Sequence, residues 1–508
     1  MKYIYAFAIL SCMVFWSSCR NDFETVPSTG QLEFSKDTVY LDTIFSNIGS
    51  STYNLKVYNR SDEDINIPTV RLSQGESSNY RLNVDGVPGK VFENVQILAK
   101  DSIFIFIETT FDINNLPQNP KEFLYTDQLL FDSGGNEQKV ELVTLVKDAI
   151  FLYPEKYADG TYETLTLGSG DDAVEVKGFF LDDSELTFTN EKPYVIYGYA
   201  AVPGNKTLSV EAGARVHIHN GGGIIVAQGG SIQALGGPSA DPEAMENEII
   251  FEGDRLEPGF ADVPGQWLTI WLTQGSVNNI FRHTTIKNST VGLLVDNSPV
   301  ALSNVQIYNN SNIGLLARNS LIDGENMVVN NSGQSSLAIQ LGGSYEFRHC
   351  TFVNYWTGSF RSFPAVSIDN VLETETDIFV ADLVRADFIN CIVYGNERRE
   401  LSLYQNSERQ FNFKFENSLI HFEDPTGEFA NDPLYDFSNP MYYPSTRLNL
   451  DPTFKDTEQN NFNIELGNSG AENIGKPNVG PFTDLNGNPR PSPANTNPDA
   501  GAYESIAF

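Results

Sequence analysis

The sequence predicts an all-β protein in two parts, a β-sandwich followed by a solenoid of stacked β coils. Two observations carry this. The first is a repeat: Lys287-Asn288, Tyr308-Asn309, Val329-Asn330 and Val353-Asn354 recur at intervals of 21, 21 and 24 residues, and Gly292-Leu293-Leu294 returns 22 residues later as Gly314-Leu315-Leu316. A period just above 20 residues, filled with short alternating strands, leaves no room for a helix. It fits coils that stack as parallel strands about 4.8 Å apart. The second observation is the stretch 31–150, where strand candidates at 32–34, 38–41, 53–58, 65–69, 102–110, 128–131 and 138–146 alternate with polar or Gly/Pro/Asn/Asp turns. That density of short strands in one stretch makes an antiparallel sandwich.

Composition bounds the partners. The 508 residues include 34 Phe and 22 Tyr, enough for two or more sizeable cores. Formal charge is −34, from 66 acidic and 32 basic residues. Such a field repels nucleic acid and anionic headgroups, whose binding needs clustered Lys and Arg. Nucleic acid is therefore excluded as a partner. Acidic excess is not evidence for calcium, because solvated surface accounts for it.

Taken in order, residues 1–19 read as a targeting segment. Lys2 is its only charge, and the apolar run from Tyr3 to Trp16 is too short for a transmembrane helix. Ser17-Ser18-Cys19 resembles a lipobox, which implies cleavage before Cys19, its acylation (palmitate among the chains) and anchoring to the membrane through that lipid. Plain signal-peptidase cleavage is the alternative. Arg20-Asn21-Asp22-Phe23-Glu24 resembles the export signal of surface lipoproteins in the Bacteroides group. The implied address is the outer membrane, facing the cell surface, with a periplasm-facing orientation left open. Residues 20–30 form a tether.

The stretch 31–150 resembles Ig-like domains of the ASPM/SPD-2/Hydin kind, through Leu32-Glu33-Phe34, Asp42-Thr43-Ile44-Phe45, Asn54-Leu55-Lys56-Val57-Tyr58-Asn59, Asp101-Ser102-Ile103-Phe104-Ile105-Phe106 and the last strand candidate. The resemblance implies a spacing or docking module without chemistry. Residues 151–186, irregular and acidic (Asp171-Asp172, Asp182-Asp183), are expected to be a linker and N-terminal cap covering the first coil's edge. Coils are expected over 187–450. Leu208-Ser209-Val210-Glu211-Ala212-Gly213, Gly230-Ser231-Ile232-Gln233-Ala234 and the repeats resemble right-handed parallel β-helix lipoproteins. Asp484-Leu485-Asn486-Gly487-Asn488-Pro489-Arg490 and Asp499-Ala500-Gly501-Ala502-Tyr503-Glu504 resemble their terminal cap, placed at 451–508.

Within the coils, Ile286, Ile307, Val328 and Phe352 are expected to form one inward ladder, and Asn288, Asn309, Asn330 and Asn354 a turn ladder of stacked amides. Cys350 and Cys391 take equivalent places in two coils and read as stacked, buried thiols, with a disulfide left open. The inserts 237–247 and 355–385 are expected to leave the solenoid and to build a groove wall or partner surface.

Candidate chemistry is thin. Glycosidases need two carboxylates facing one cleft, and lyases of anionic sugars need a basic residue, often with carboxylate-bound calcium. The acidic residues of the clear coils, Asp296, Asp323, Glu325, Glu346 and Asp369, fall at differing coil positions. No catalytic set is expected, no cofactor, and no motif supports calcium. His217 and His219 share one strand face but lack a third metal ligand, and Asp484, Asn486 and Asn488 lack the terminal Glu of a calcium loop. Arg282-His283 and Arg348-His349 occupy one coil position three coils apart, both His facing outward beside Asn304 and Glu325, as a stripe that could meet an acidic glycan. Trp267 and Trp271 on one strand face, and Trp356 opening the larger insert, are aromatic surfaces for sugar rings. The reading is a lipid-anchored envelope protein without catalysis that meets a polysaccharide or surface protein. A polysaccharide lyase or glycosidase, and a structural envelope protein, are the alternatives.

Overall fold

The computed structural model describes residues 25–508 apart from 118–119, 133–135, 169–172, 242–243, 375–376 and 494. The leader 1–19 with Cys19, and Asp171-Asp172, lie outside the described residues. The protein is all-β, in two compact units that divide between Asp148 and Ala149.

In the first unit two sheets share one core. One sheet runs Glu33–Phe34, Tyr53–Tyr58, Ser102–Thr109, Tyr80–Val84 and Val87–Gly89, all antiparallel. The other centres on Glu122–Asp132 and Gln138–Lys147, with Ile65–Leu72 and Thr38–Phe45 outside them. Alternation does the work: Leu55 and Val57, Ile103, Ile105 and Ile107, Val140 and Leu142 are buried, while Phe104 and Phe106 between them stay exposed.

The second unit is built from three parallel ladders around one core. The first passes through Ile150–Leu152, Tyr194–Ile196, Arg215–Ile218, Ile249–Gly253, Asn279–Lys287, Pro299–Asn310, Val328–Ser332, Thr351–Asn354, Ile392–Gly395, Leu419–Ile420 and Arg447–Leu448. The second runs from Val174–Phe180 through Tyr199–Val202 and Gly223–Val226 to Val366–Asp369 and Leu401–Tyr404. The third runs from Thr187–Phe188 to Lys414–Glu416. Residues one repeat apart are therefore direct neighbours, and each strand sends alternate side chains into the common core.

Several expectations are corrected by these registers. The parallel pairing begins at Ile150, so 151–186 is not a linker: Leu152, Phe179 and Leu181 already belong to the core, and Thr164–Leu167 pairs as a hairpin with Val174–Phe180. The stretch 355–385 is not one excursion, because Val366–Asp369 returns to the second ladder and leaves a loop before it and the hairpin Val371–Glu373/Ile378–Val380 after it. The inward ladder is Ile286, Ile307, Val329 and Phe352, since Ile307 pairs with Val329. Val328 points the other way, into a separate cluster. A one-residue slip reverses every face, and the repeat interval of 21 conceals a true step of 22 at this point. The amide ladder slips with it: Asn309 stacks on Asn331, whose Nδ2 donates to Asn309 Oδ1 at 2.7 Å.

The corners explain why Asn recurs. Asn288, Asn309 and Asn331 have φ of 65°, 58° and 52°; at a second corner His283, Asn304, Asn326, His349, Asn390 and Asn417 have φ between 43° and 57°. Asn tolerates this left-handed region because its short amide bonds locally, here to the corner above or below. Asn326 Nδ2 donates to Asn304 Oδ1 at 2.9 Å, and Asn390 Nδ2 contacts His349 Nε2 at 2.9 Å. His283 and His349 are therefore corner residues, of which only His283 keeps some exposure, and the corner between them is held by Asn304 and Asn326, not Glu325. His349 is fully buried.

The far end of the core is closed by aromatic rings. Phe413 stacks on Tyr442 at 4.7 Å and Phe422 on Tyr435 at 5.0 Å, with Phe415, Phe429, Phe437 and Tyr443 around them. Residues 451–508 are not an end cap. They form a strap along the side of the unit, where Phe462, Ile464, Ala471, Ala500 and Tyr503 cover the outward side chains of Val328, Val353, Ile392 and Leu419. The strap is tied to the second corner by Thr483, Lys476 and Ile474, whose carbonyls accept from the amides of Asn326, Asn390 and Asn417. A fully buried ion pair, Arg490 Nη1 to Glu504 Oε1 at 2.9 Å, closes it, and Arg490 also donates to Asn326 Oδ1.

Candidate functional site

Strap and insert together flank a cleft over the second corner at His283 and Asn304, one level before the strap's anchor at Asn326. Its floor is His283, Asn304, Gln306 and Tyr308; one wall is Met245 and Glu248, at the end of the insert; the other is Gln459, Asn460, Asn461 and Asn463 with Leu485, Asn486 and Tyr503 from the strap. The volume is about 290 Å³, near the lower end of the range for small-ligand pockets. The floor residues come from two neighbouring strands: His283 lies beside Asn304 in register, and Gln306 and Tyr308 follow at alternate, outward positions. On the strap wall the alternation Asn461-Phe462-Asn463-Ile464 buries the apolar pair and turns both amides outward. Arg215 holds the insert wall, donating to the carbonyls of Glu248 at 2.6 Å and Met245 at 2.7 Å.

The lining is almost wholly polar and uncharged. Asn486 Nδ2 donates to Asn463 Oδ1 (2.9 Å), whose Nδ2 donates to Asn461 Oδ1 (2.7 Å), a chain of amides whose Asn486 Oδ1 and Asn461 Nδ2 have no partner among the described residues. The side-chain amides of Gln306 and Gln459 have no hydrogen-bond partner among the described residues. Burial, then the charge of Arg282, pushes the His283 imidazole down, so it is neutral near pH 7. Burial, aided by nearby carboxylates, raises the Tyr308 and Tyr503 phenols, which stay protonated donors.

Of the ligand-binding candidates Trp267, Trp271, Trp356, Arg282, His283, Arg348 and His349, only His283 reaches this cleft; Asn304 and Asn486, weighed in the sequence beside other sites, line it as well. Trp267 is fully buried, its Nε1 donating to Lys287 O at 2.9 Å, and Trp271 packs outward against Tyr199, Ala201 and Ile225. The two do not share a face, because the regular strand begins only at Ile270. Trp356 is buried at the base of its loop, bonded to Ser359. Neither Trp267 nor Trp356 offers a face to a sugar. Arg282 is exposed outside the cleft. Arg348 is half-buried and ion-paired to Asp323, Glu325 and Glu346.

The acidic residues do stack, against expectation: Asp323 lies in register with Glu346, and Glu346 with Asp387. Arg348 and Arg385 neutralise them in one surface network. Carboxylates so compensated are poorly placed to act as acid and base.

His217 Nδ1 meets the carbonyl of Gly253 and His219 Nδ1 meets Asp254 at 2.7 Å; among the described residues no group of three or more His, Cys, Asp or Glu is placed to hold a metal. Asp484 accepts from Asn488 N and Glu504 N, which makes its segment a turn. Cys350 and Cys391 are buried and unbonded. Burial, reinforced by Cys391, raises the Cys350 thiol well above its ordinary value, so it is not a nucleophile.

No protein-family model matches the chain, and no curated protein matches it. Among solved structures, a family 123 glycoside hydrolase from Clostridium perfringens, described for glycolipid glycan hydrolysis, aligns at 11% identity over 25% of this chain with a TM-score of 0.16. The alignment spans 31% of that enzyme. A likeness this slight carries no argument about fold or activity.

Proposed function

We propose that this chain is a lipid-anchored envelope protein that binds a glycan without cleaving it. In this reading Cys19 carries the lipid, the first unit is an Ig-like sandwich, and the second is a right-handed parallel β-helix that presents the amide-lined cleft. The carrying observation is the cleft's chemistry. Amides and phenols both donate and accept, as sugar hydroxyls do; among the described residues the lining has no Lys or Arg, and Gln306 and Gln459 have unpartnered side-chain amides, which suits a hydroxyl-rich ligand better than an apolar or anionic one. Three parallel ladders with a step near 22 residues support the β-helix reading.

The test is a glycan-array and reducing-end screen on residues 19–508 with Cys19→Ser. Binding that Gln306→Ala and Asn463→Ala each weaken about 5- to 10-fold is expected, from the loss of one or two ligand hydrogen bonds. Release of reducing ends by the purified protein would overturn the non-catalytic reading. Binding that ignores both substitutions would move the site elsewhere.

A further inference from the structure

Among the described residues, Glu248 is the one carboxylate lining the cleft. It is half-buried, and its carboxylate has no ion pair or hydrogen bond among the described residues. Arg215, the cation whose charge reaches it, is turned to the backbone carbonyls of Glu248 and Met245 instead. The nearby Glu246 adds repulsion rather than relief. A carboxylate in such a place is costly unless something compensates it, and the amide walls supply no cation.

We propose that the cleft selects a sugar bearing a protonated amine, an amino sugar with free hydroxyls, and that Glu248 is the residue that reads the ammonium group. This rests on the glycan-binding reading above and names the sugar class. The neighbours fit the remainder of such a ligand. The amide of Gln306 on the floor and the Asn463–Asn486 chain on the wall face the same space and match hydroxyls on either side of the amine. An ammonium within bonding distance of Glu248 forms a charge-assisted hydrogen bond. It also reverses the upward push that burial exerts on the carboxyl. The field of a chain with net charge −34 favours a cationic ligand and disfavours a uronate in the same cleft.

The experiment is titration calorimetry on residues 19–508 with Cys19→Ser, using glucosamine oligomers, the corresponding N-acetylglucosamine oligomers and glucose oligomers of equal length and linkage. The glucosamine series is expected to bind about 10-fold or more tightly than either neutral series. Glu248→Gln, which keeps the side chain's shape, is expected to abolish that preference, so that the variant binds the three series within about 2-fold of one another. Equal affinity for all three series, or a preference that survives Glu248→Gln, overturns the assignment of the amine while glycan binding stands. Failure of the unsubstituted protein to bind any of the three overturns both.

Discussion

At the scale of single residues, burial sets the electrostatics more often than charge pairing does. Asp369, next to the corner residue Leu341, accepts from Leu341 N at 3.1 Å and Val371 N at 3.3 Å, yet burial raises its carboxyl to about 6 from an ordinary 3.8. The folded protein thus holds this proton more tightly than the unfolded chain. The resulting stability is fully present below about pH 3.8 and is lost as pH rises through about 6, by roughly 2–3 kcal/mol in total. Asp369→Asn escapes the loss. Urea midpoints compared from about pH 4 to about pH 8 should show the variant's advantage growing between pH 4 and 6.5 and then levelling. Parallel curves would dismiss burial as the cause. None of this is legible in the sequence, where Asp369 is one acid among many. Its burial follows from the hairpin folded over the corner.

At the scale of the element, the corner columns are what the repeats encode. Asn recurs because each corner needs a left-handed residue whose amide can bond its neighbour. The exception tests the rule. Asn297, Asn319 and Leu341 form a third column, with φ of 47°, 43° and 59°, and Asn319 Nδ2 donates to Asn297 Oδ1 at 2.8 Å. Leu341 carries the strain without the bond. Leu341→Asn is expected to stabilise the protein by about 1 kcal/mol, read as a higher urea midpoint at unchanged slope. A destabilised variant would mean that the Leu341 side chain's packing outweighs its backbone strain. The sequence marks where corners fall but not their register. Tyr308-Asn309 and Val329-Asn330 look equivalent, yet Asn309 stacks on Asn331, because an extra residue between the corners is invisible until the strands pair. The cleft was hidden for a different reason. Tyr308 read only as the residue before a corner Asn, and Asn463 and Asn486 looked like parts of a cap. Only the alternation of 461–464 hinted that amides would line a wall.

At the scale of the whole molecule, the two units have separate cores, and that of the first draws its side chains from 32–146 alone. Residues 25–148 expressed alone are therefore expected to fold, giving dispersed amide resonances and one cooperative melting transition; a spectrum of an unfolded chain would show that the first unit depends on the second. The all-β class and the stacked parallel repeat were legible because period and alternation are local properties of the chain. The strap was not, since its partners lie up to 164 residues away, as Arg490 does from Asn326. That strap has a consequence for how such a chain can change length. Its anchors meet Asn326, Asn390 and Asn417 on fixed levels, with only His349 between the first two, so it gauges this half of the molecule as a ruler would. Adding or deleting one repeat between those residues would displace every later anchor by about 4.8 Å, and the mismatch would propagate to the Arg490–Glu504 lock. The anchors named above all lie at Asn326 or later, so they do not gauge the repeats before Asn279. Lineages carrying this architecture should therefore vary in repeat number in the first half of the ladders and hold it constant in the second.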